Sequence, residues 1–318
     1  MRCFVTGCAG FIGSNLTDRL LRDGHAVVGY DNFSTGQERF LEEARRAPGF
    51  RLVRGDLLDQ AALAGAMAGA DIVFHLAANA DVRRGTEQTD RHLTQNTIAT
   101  HRVLEAMRLG GVRRIAFSST GSVYGEAAVI PTPEDAPFPI QTSLYGAAKL
   151  AGEGLIQAFC EGFGFQAWIF RFVSILGERY SHGHVFDFYR SLRQDPTQLP
   201  VLGDGQQRKS YLYVQDCLDA ILLAVEKAPG RVSILNLGTD EACRVDDSIG
   251  WICQELGLQP ERRYSGGSRG WIGDNPIIHL DCGRIRALGW RPRLTIREGV
   301  VQTVRYLQAN PWLLEGRS

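Results

Sequence analysis

Glycines 7, 10 and 13 lie in the stretch TGCAGFIGS, directly after the apolar run Cys3 to Thr6 and directly before apolar residues at helical spacing from Phe11 to Arg22. A strand that passes into a helix through so short a turn needs residues without a side chain at fixed places. Gly7 allows the tight turn, Gly10 lets the backbone approach a pyrophosphate, and Gly13 lets the helix pack closely on the sheet. The helix then starts with its N–H groups and the positive end of its dipole facing an anion. A glycine triplet alone often just makes a turn. Here the strand before it and the helix after it predict the first βα unit of a dinucleotide-binding sheet.

The pattern downstream repeats that alternation. Ala26 to Tyr30 is predicted as the next strand, with Arg51 to Arg54, Asp71 to Leu76, Arg114 to Ser118 and Ala167 to Phe172 following. Residues 89–109 and 146–161 are predicted as long helices. Strands alternating with helices imply α/β architecture, a Rossmann-type doubly wound parallel sheet. After about residue 174 the alternation becomes irregular, and Gly, Pro, Asp and Gln cluster in RQDPTQLPVLGDGQQRKS. We read residues 1–174 as a dinucleotide-binding domain to which 211–238 returns, and 175–210 with 239–318 as a smaller ligand-binding domain. Within these, 213–226 and 246–256 have helical spacing, and Ser233 to Leu237 reads as a strand rejoining the large sheet. A chain of 318 residues accommodates two unequal lobes of this kind.

Charge removes several function classes. Lys and Arg together number 35, as do Asp and Glu, so no basic field attracts nucleic acid. No apolar run approaches the ~20 residues of a membrane span. The N-terminal residues reach glycine too early for a signal-peptide core. The seven scattered cysteines, without a CxxC pair, read as reduced thiols of a cytoplasmic protein. His182 and His184 lack neighbouring cysteine or carboxylate partners, so no metal site is expected. Arg113-Arg114 reads as solvated surface, and Trp168, Trp251 and Trp290 as packing residues.

Asp31 ends the second strand about 20 residues after the glycines. A carboxylate there accepts hydrogen bonds from an adenosine ribose diol and repels a 2′-phosphate, which favours NAD over NADP. Asp56-Leu57 falls at the next strand end, where the adenine edge would lie, although Gly-Asp is also ordinary turn chemistry. Tyr145 and Lys149 in SLYGAAKLAGE share one face of a helix at i,i+4 spacing. An ammonium near a phenol favours phenolate and makes tyrosine a usable general base. The same spacing also arises by chance on amphipathic helices. The run FSSTGSVYG at 117–125 puts hydroxyls at the carboxyl end of a strand, where such sheets bind ligands. There Thr120 is placed to bond a substrate oxygen, whereas Ser118, Ser119 and Ser122 can equally be strand-end polar residues.

Taken in order, TGCAGFIG, Asp31-Asn32, GDLLD, HLAANADV, SSTGSVYG and YGAAK resemble the extended short-chain dehydrogenases/reductases, and within them the NAD-dependent nucleotide-sugar epimerases and dehydratases. The similarity runs to about residue 305. It implies tightly bound NAD, a nucleotide-sugar substrate, and a homodimer built on helices 89–109 and 146–161. By that resemblance Gly7, Gly10, Phe11, Ile12, Gly13, Asp31, Asn32, Asp56, Leu57, Ala77, Asn96, Tyr145, Lys149 and Val173 surround NAD. Thr120, Tyr145 and Lys149 carry the chemistry: Tyr145 takes the 4-hydroxyl proton while hydride leaves C4, the 4-keto sugar turns over, and hydride returns to its opposite face.

Gly121-Ser122 occupies the place where the dehydratases of this family carry an acidic pair and the decarboxylases a glutamate. Without that carboxyl group the resemblance implies 4-epimerisation of a nucleotide-diphosphate hexose, UDP-Glc/UDP-Gal and also UDP-GlcNAc/UDP-GalNAc. A 4-ketoreductase needs the same three residues, while a non-catalytic NAD-binding regulator would be expected to lack them. The substrate set implied is Thr120, Ser122, Tyr145, Ser174, Val201, Arg208, Lys209, Arg269, Asp274 and Ile278. Three places depart from the family pattern. Ser174 replaces a usual asparagine, Arg208-Lys209 stands where an Arg-Asp pair is common, and Trp271 replaces an arginine for which Arg269 can substitute. Ile278 falls at the position that limits the size of the C2 substituent.

Overall fold

The computed structural model describes residues 1–137 and 140–315. The strands of the main sheet are β1 (Arg2–Thr6), β2 (Ala26–Asp31), β3 (Phe50–Arg54), β4 (Ile72–His75), β5 (Arg114–Thr120), β6 (Gln166–Phe172) and β7 (Val232–Leu237). They lie side by side in the order β7-β6-β5-β4-β1-β2-β3. β1 runs parallel to β2 on one side and to β4 on the other, so the winding reverses direction at β1. In open α/β sheets ligands settle in the crevice beyond the carboxyl ends of the strands at such a reversal. Gly7 follows β1 and Leu76-Ala77 follows β4, which puts the glycine turn at that crevice. β1 and β4 are buried along nearly their whole length, as central strands covered on both faces must be.

Helices hold one face of the sheet through an apolar core. Phe4, Val28, Val73, Ile115, Phe117 and Ile169 of the strands meet Val103, Leu104, Met107, Ile156, Phe159 and Cys160 of the helices. Leu144–Phe163 starts where the Ser143 side chain accepts the N–H of Gly146 at 3.0 Å and stops at Gly164, whose φ is 66°. A side-chain N-cap and a left-handed glycine are the usual end signals of a helix. The helix predicted over 89–109 differs in its interior. Thr89–His92 is α-helical, Leu93–Ile98 is π-helical, and Ala99–Gly110 resumes the α-helix. The wide turn accompanies the side-chain bonds of Asn96 described below, and π-turns commonly mark such sites.

Two compact units make up the chain. The first comprises Met1–Val123, Ser143–Arg171 and Ile221–Leu235; the second comprises Tyr124–Thr142, Phe172–Ala220 and the chain from Asn236 onward. Residues 124–142 group with the second unit because Thr132 exchanges backbone bonds with His279 and Asp281, both 2.9 Å. Within the same unit, Tyr124 Oη donates to Asn236 Oδ1 at 2.9 Å. Residues 211–220 group there as well. Tyr211–Tyr213 pairs with Ser174–Leu176, and the Asp216 carboxylate accepts from the backbone and side chain of Arg293. Helices His184–Gln194, Val245–Leu256 and Ile296–Ala309 pack on one another in this unit.

Arg113 and Arg114 prove to be more than solvated surface. Their guanidinium groups lie over the rings of Phe165 and Trp168, at 5.4 and 5.2 Å. Trp168 and Trp290 are buried, whereas Trp251 is half-buried. All seven cysteines are buried free thiols. His184 Nε2 pairs with Ser248 Oγ at 2.8 Å. Among the described residues no helix is long and apolar enough to cross a membrane.

Candidate active site

The glycine turn is built around its missing side chains. Gly7 has φ 70°, donates its N–H to Tyr30 O at 2.9 Å, and a Cβ on it would lie 2.8 Å from the backbone of Ala77. A Cβ on Gly13 would strike the carbonyl of Gly7. Gly13 therefore lets the first helical turn close over the loop itself, in addition to packing on the sheet. Gly10 caps that helix with no side-chain bond.

Asp31 closes the other side of the loop. Its Oδ2 accepts from Ala9 N at 2.9 Å and its Oδ1 from Phe33 N at 2.8 Å. Burial pushes its pKa up, and the two backbone N–H bonds pull it back. Asn32 donates to Asp56 Oδ2 at 2.9 Å, while Asp56 Oδ1 accepts the N–H of Leu58. Gly7, Gly10, Asp31, Asn32, Asp56, Leu57 and Ala77 line one pocket of about 480 Å³. Ser34, Thr35, Gly36, Asp90 and Arg91 line it too, and the sequence reading did not single these out. Phe11, Ile12 and Gly13 form the first turn of the adjoining helix.

A directed chain of hydrogen bonds supports the pocket from below. Thr100 Oγ1 donates to Asn96 O at 2.6 Å, which uses its only hydrogen. His75 Nε2, 3.0 Å from Thr100 Oγ1, must then carry the ring proton and donate it. His75 Nδ1 accepts from Thr6 Oγ1 at 2.8 Å, and that oxygen accepts the N–H groups of Leu76 and Ala77, each at 3.2 Å. Burial, with the charge of Lys149 second, brings the His75 pKa down to about 3, so the ring is neutral. Asn96 spends its side chain on Asn79 and on His92 Nδ1, and so holds the 77–79 loop in place.

The two residues of the catalytic pair stand one turn apart on Leu144–Phe163. Tyr145 is half-buried, close enough to Thr120 for that hydroxyl to act on its pKa, and in edge contact with the ring of His92, centroids 5.7 Å apart. Lys149 is 2% exposed, donates to Ser118 O at 2.7 Å and lies 4.7 Å from the centre of the Phe117 ring. Burial governs both groups: it pushes the phenol up to about 12 against the nearby Thr120 hydroxyl and the ammonium down to about 7 against the charge of Glu153. Lys149, expected to lower the phenol, is not among the groups acting on it here; its ammonium is engaged by the Ser118 carbonyl. Thr120 Oγ1 accepts from Ser122 N at 3.1 Å and lies 3.2 Å from Ser122 Oγ.

The remaining predicted residues belong to the second unit. Val173 is buried and donates its N–H to Leu237 O at 3.0 Å. Ser174 is exposed, Val201 is buried in a strand pairing with Tyr264, and Ile278 is half-buried opposite Lys209. Lys209 and Asp274 form a buried ion pair at 2.7 Å, and Lys209 also donates to the carbonyl of Asn275. Arg208 is exposed, and Arg269 pairs with Glu126.

Dinucleotide recognition beside a tyrosine–lysine pair defines a nicotinamide-cofactor enzyme of the Rossmann class. The cofactor fits this site: the loop is closed where any Cβ would meet backbone, and the carboxylates of Asp31 and Asp56 on the pocket wall disfavour an extra phosphate. The chain belongs to the NAD dependent epimerase/dehydratase family, whose model matches residues 3–238. It is 35% identical over 316 residues to a UDP-glucose 4-epimerase of Mycolicibacterium smegmatis, covering 97% of this chain and 99% of that protein. Among solved structures, a UDP-galactose 4-epimerase is 40% identical with a TM-score of 0.87, over 98% of this chain and 100% of that one. The Thermotoga maritima UDP-glucose 4-epimerase with UDP-glucose is 30% identical with a TM-score of 0.88, over 98% and 100%.

Proposed function

We propose that this protein inverts the configuration at C4 of a UDP-hexose, with UDP-glucose and UDP-galactose as the principal pair. The observation that carries this reading is the grouping of Thr120, Tyr145 and Lys149, followed by Gly121-Ser122 with no carboxyl group to eliminate water. NAD, when bound, supplies the acceptor and donor of hydride. Tyr145 Oη takes and returns the proton of the 4-hydroxyl, Thr120 orients that oxygen, and Lys149 supplies the positive charge beside the phenol. Gly7, Gly10, Gly13, Asp31, Asn32, Asp56, Leu57 and Ala77 hold the cofactor, and Asn96 fixes the loop that borders it.

In the second unit, exposed Ser174 and Arg208 are available to a nucleotide diphosphate, and Arg269 can join them by exchanging Glu126 for phosphate oxygens. Lys209 and Asp274 serve by holding each other and the 274–275 backbone. Half-buried Ile278 is smaller than an aromatic residue, which supports acceptance of an N-acetyl group at C2, as in UDP-GlcNAc. Leu93, Ile98, Leu109, Leu144 and Phe163 are exposed on the two long helices of the first unit and support a homodimer. Seven buried free thiols support a cytoplasmic enzyme.

Proton NMR of the purified protein with UDP-Glc or UDP-GlcNAc, without added reductant, tests the reading. New galacto-configured H1 signals are expected from UDP-Glc. Spectra unchanged with both sugars would overturn it.

A further inference from the structure

The carboxyl end of β5 and the catalytic helix are joined rung by rung. Thr120 stands beside Tyr145, the carbonyl of Ser118 receives Lys149, and Ser119 Oγ donates to Glu153. Tyr145, Lys149 and Glu153 are spaced at i, i+4 and i+8 and share a helix face. Glu153 is 0% exposed, and the same carboxylate holds Arg171 of β6, which is 1% exposed, through Nε at 3.1 Å and Nη2 at 2.7 Å. A buried ion pair of this kind contributes little net stability compared with apolar residues of the same volume. Its placement one turn below Lys149 gives it a different use.

We propose that Glu153, locked by Arg171 and Ser119, is a positioning residue for the Tyr145–Lys149 pair: it sets the register of the helix on β5 and supplies the buried negative charge facing the Lys149 ammonium. The inference rests on the proposed roles of Tyr145 and Lys149. Several groups face Lys149 from the packed elements. Its own helix brings Tyr145 and Glu153. β4 brings His75, neutral and therefore without charge to offer. β5 brings the Ser118 carbonyl and the Phe117 ring. Arg171 of β6 stands behind Glu153. Glu153 is thus the only anion among these groups, and its charge opposes the burial that brings Lys149 down to about 7.

The chain contains only three lysines, Lys149, Lys209 and Lys227, so their side-chain signals are separable. Full-length protein labelled with 13Cε-lysine is titrated by NMR, with Lys149 assigned by its absence in Lys149→Met. Glu153→Gln should move the Lys149 midpoint about one pH unit lower, a tenfold loss of proton affinity, and leave Lys227 unmoved. An unchanged Lys149 midpoint would overturn the proposal. Because Glu153→Gln leaves Arg171 buried without its partner, Glu153→Gln/Arg171→Met is measured beside it. That variant should regain the melting temperature yet keep the lowered midpoint, whereas a purely structural ion pair predicts recovery of both. Ser119→Ala retains both charges, and its kcat should fall several-fold at unchanged KM; full activity would refute the register role. The NMR titration needs neither cofactor nor sugar. An inactive wild type would therefore refute the proposed function while the titration still decides the role of Glu153.

Discussion

Asn96 grips both sides of one backbone position: its Oδ1 accepts the N–H of Asn79 at 2.8 Å and its Nδ2 donates to the carbonyl of Asn79 at 3.0 Å. The grip comes from a π-turn and holds the loop that borders the dinucleotide pocket. Asn96→Ala would leave two buried backbone groups without partners. Each such group costs about 1–3 kcal/mol, so a loss of roughly 2–4 kcal/mol is expected in urea unfolding. Less NAD should accompany the purified variant, as measured by chromatography of the released nucleotide.

Tyr145→Phe removes the proton carrier and keeps the ring that meets His92. Turnover should fall by about 10³ or more, since a positioned acid–base group contributes roughly 10²–10⁴. Retained NAD and nucleotide-sugar affinity should stay near wild type by calorimetry. Unchanged turnover would remove Tyr145 from the chemistry.

Asp31→Asn replaces one acceptor oxygen with a donor, so only one of the Ala9 and Phe33 N–H groups can remain bonded to that side chain. Weaker NAD binding is expected, together with a preference for NAD over NADP reduced about tenfold or more, because a carboxylate no longer repels the 2′-phosphate. Dissociation constants for the two nucleotides measure both effects.

His75 sets a pH dependence of stability. Its pKa is about 3 in the folded protein against 6.5 for the free side chain. A base with a lowered folded pKa contributes stability that is present above 6.5 and lost as pH falls toward 3. Lys149, depressed to about 7, acts in a separate window at higher pH. Burial also lowers His92 and His279, so the His75 share has to be read as a difference. Between pH 6.5 and 4.5 wild type should lose up to about 1.4 kcal/mol per pH unit more than His75→Gln. Urea midpoints at several pH values provide the comparison.

Local pattern made much of the first unit legible. The glycine turn, the strand ending at Asp31 and the Tyr145–Lys149 spacing all follow from short-range rules, and Phe11–Arg22 forms the helix expected there. Glu153 was visible as a third position on the same face, four residues after Lys149, but spacing alone does not reveal that a carboxylate is buried. Other features depend on partners distant in sequence. Thr132 with His279, Lys209 with Asp274 and Asp216 with Arg293 join residues about 65 to 150 positions apart, and no periodicity announces them. Lys209 illustrates the consequence: the resemblance puts it in the substrate set, and its pairing with Asp274 was not legible in the sequence. The π-turn at Asn96 was hidden because Leu93–Ile98 has ordinary helical composition.

The most direct test of the account incubates the protein with UDP-galactose in D₂O without added NAD and follows the sugar protons by NMR. The account predicts UDP-glucose H1 signals and a C4 position that keeps its original hydrogen, because that hydrogen never exchanges with solvent. Deuterium at C4, or no conversion, would contradict it.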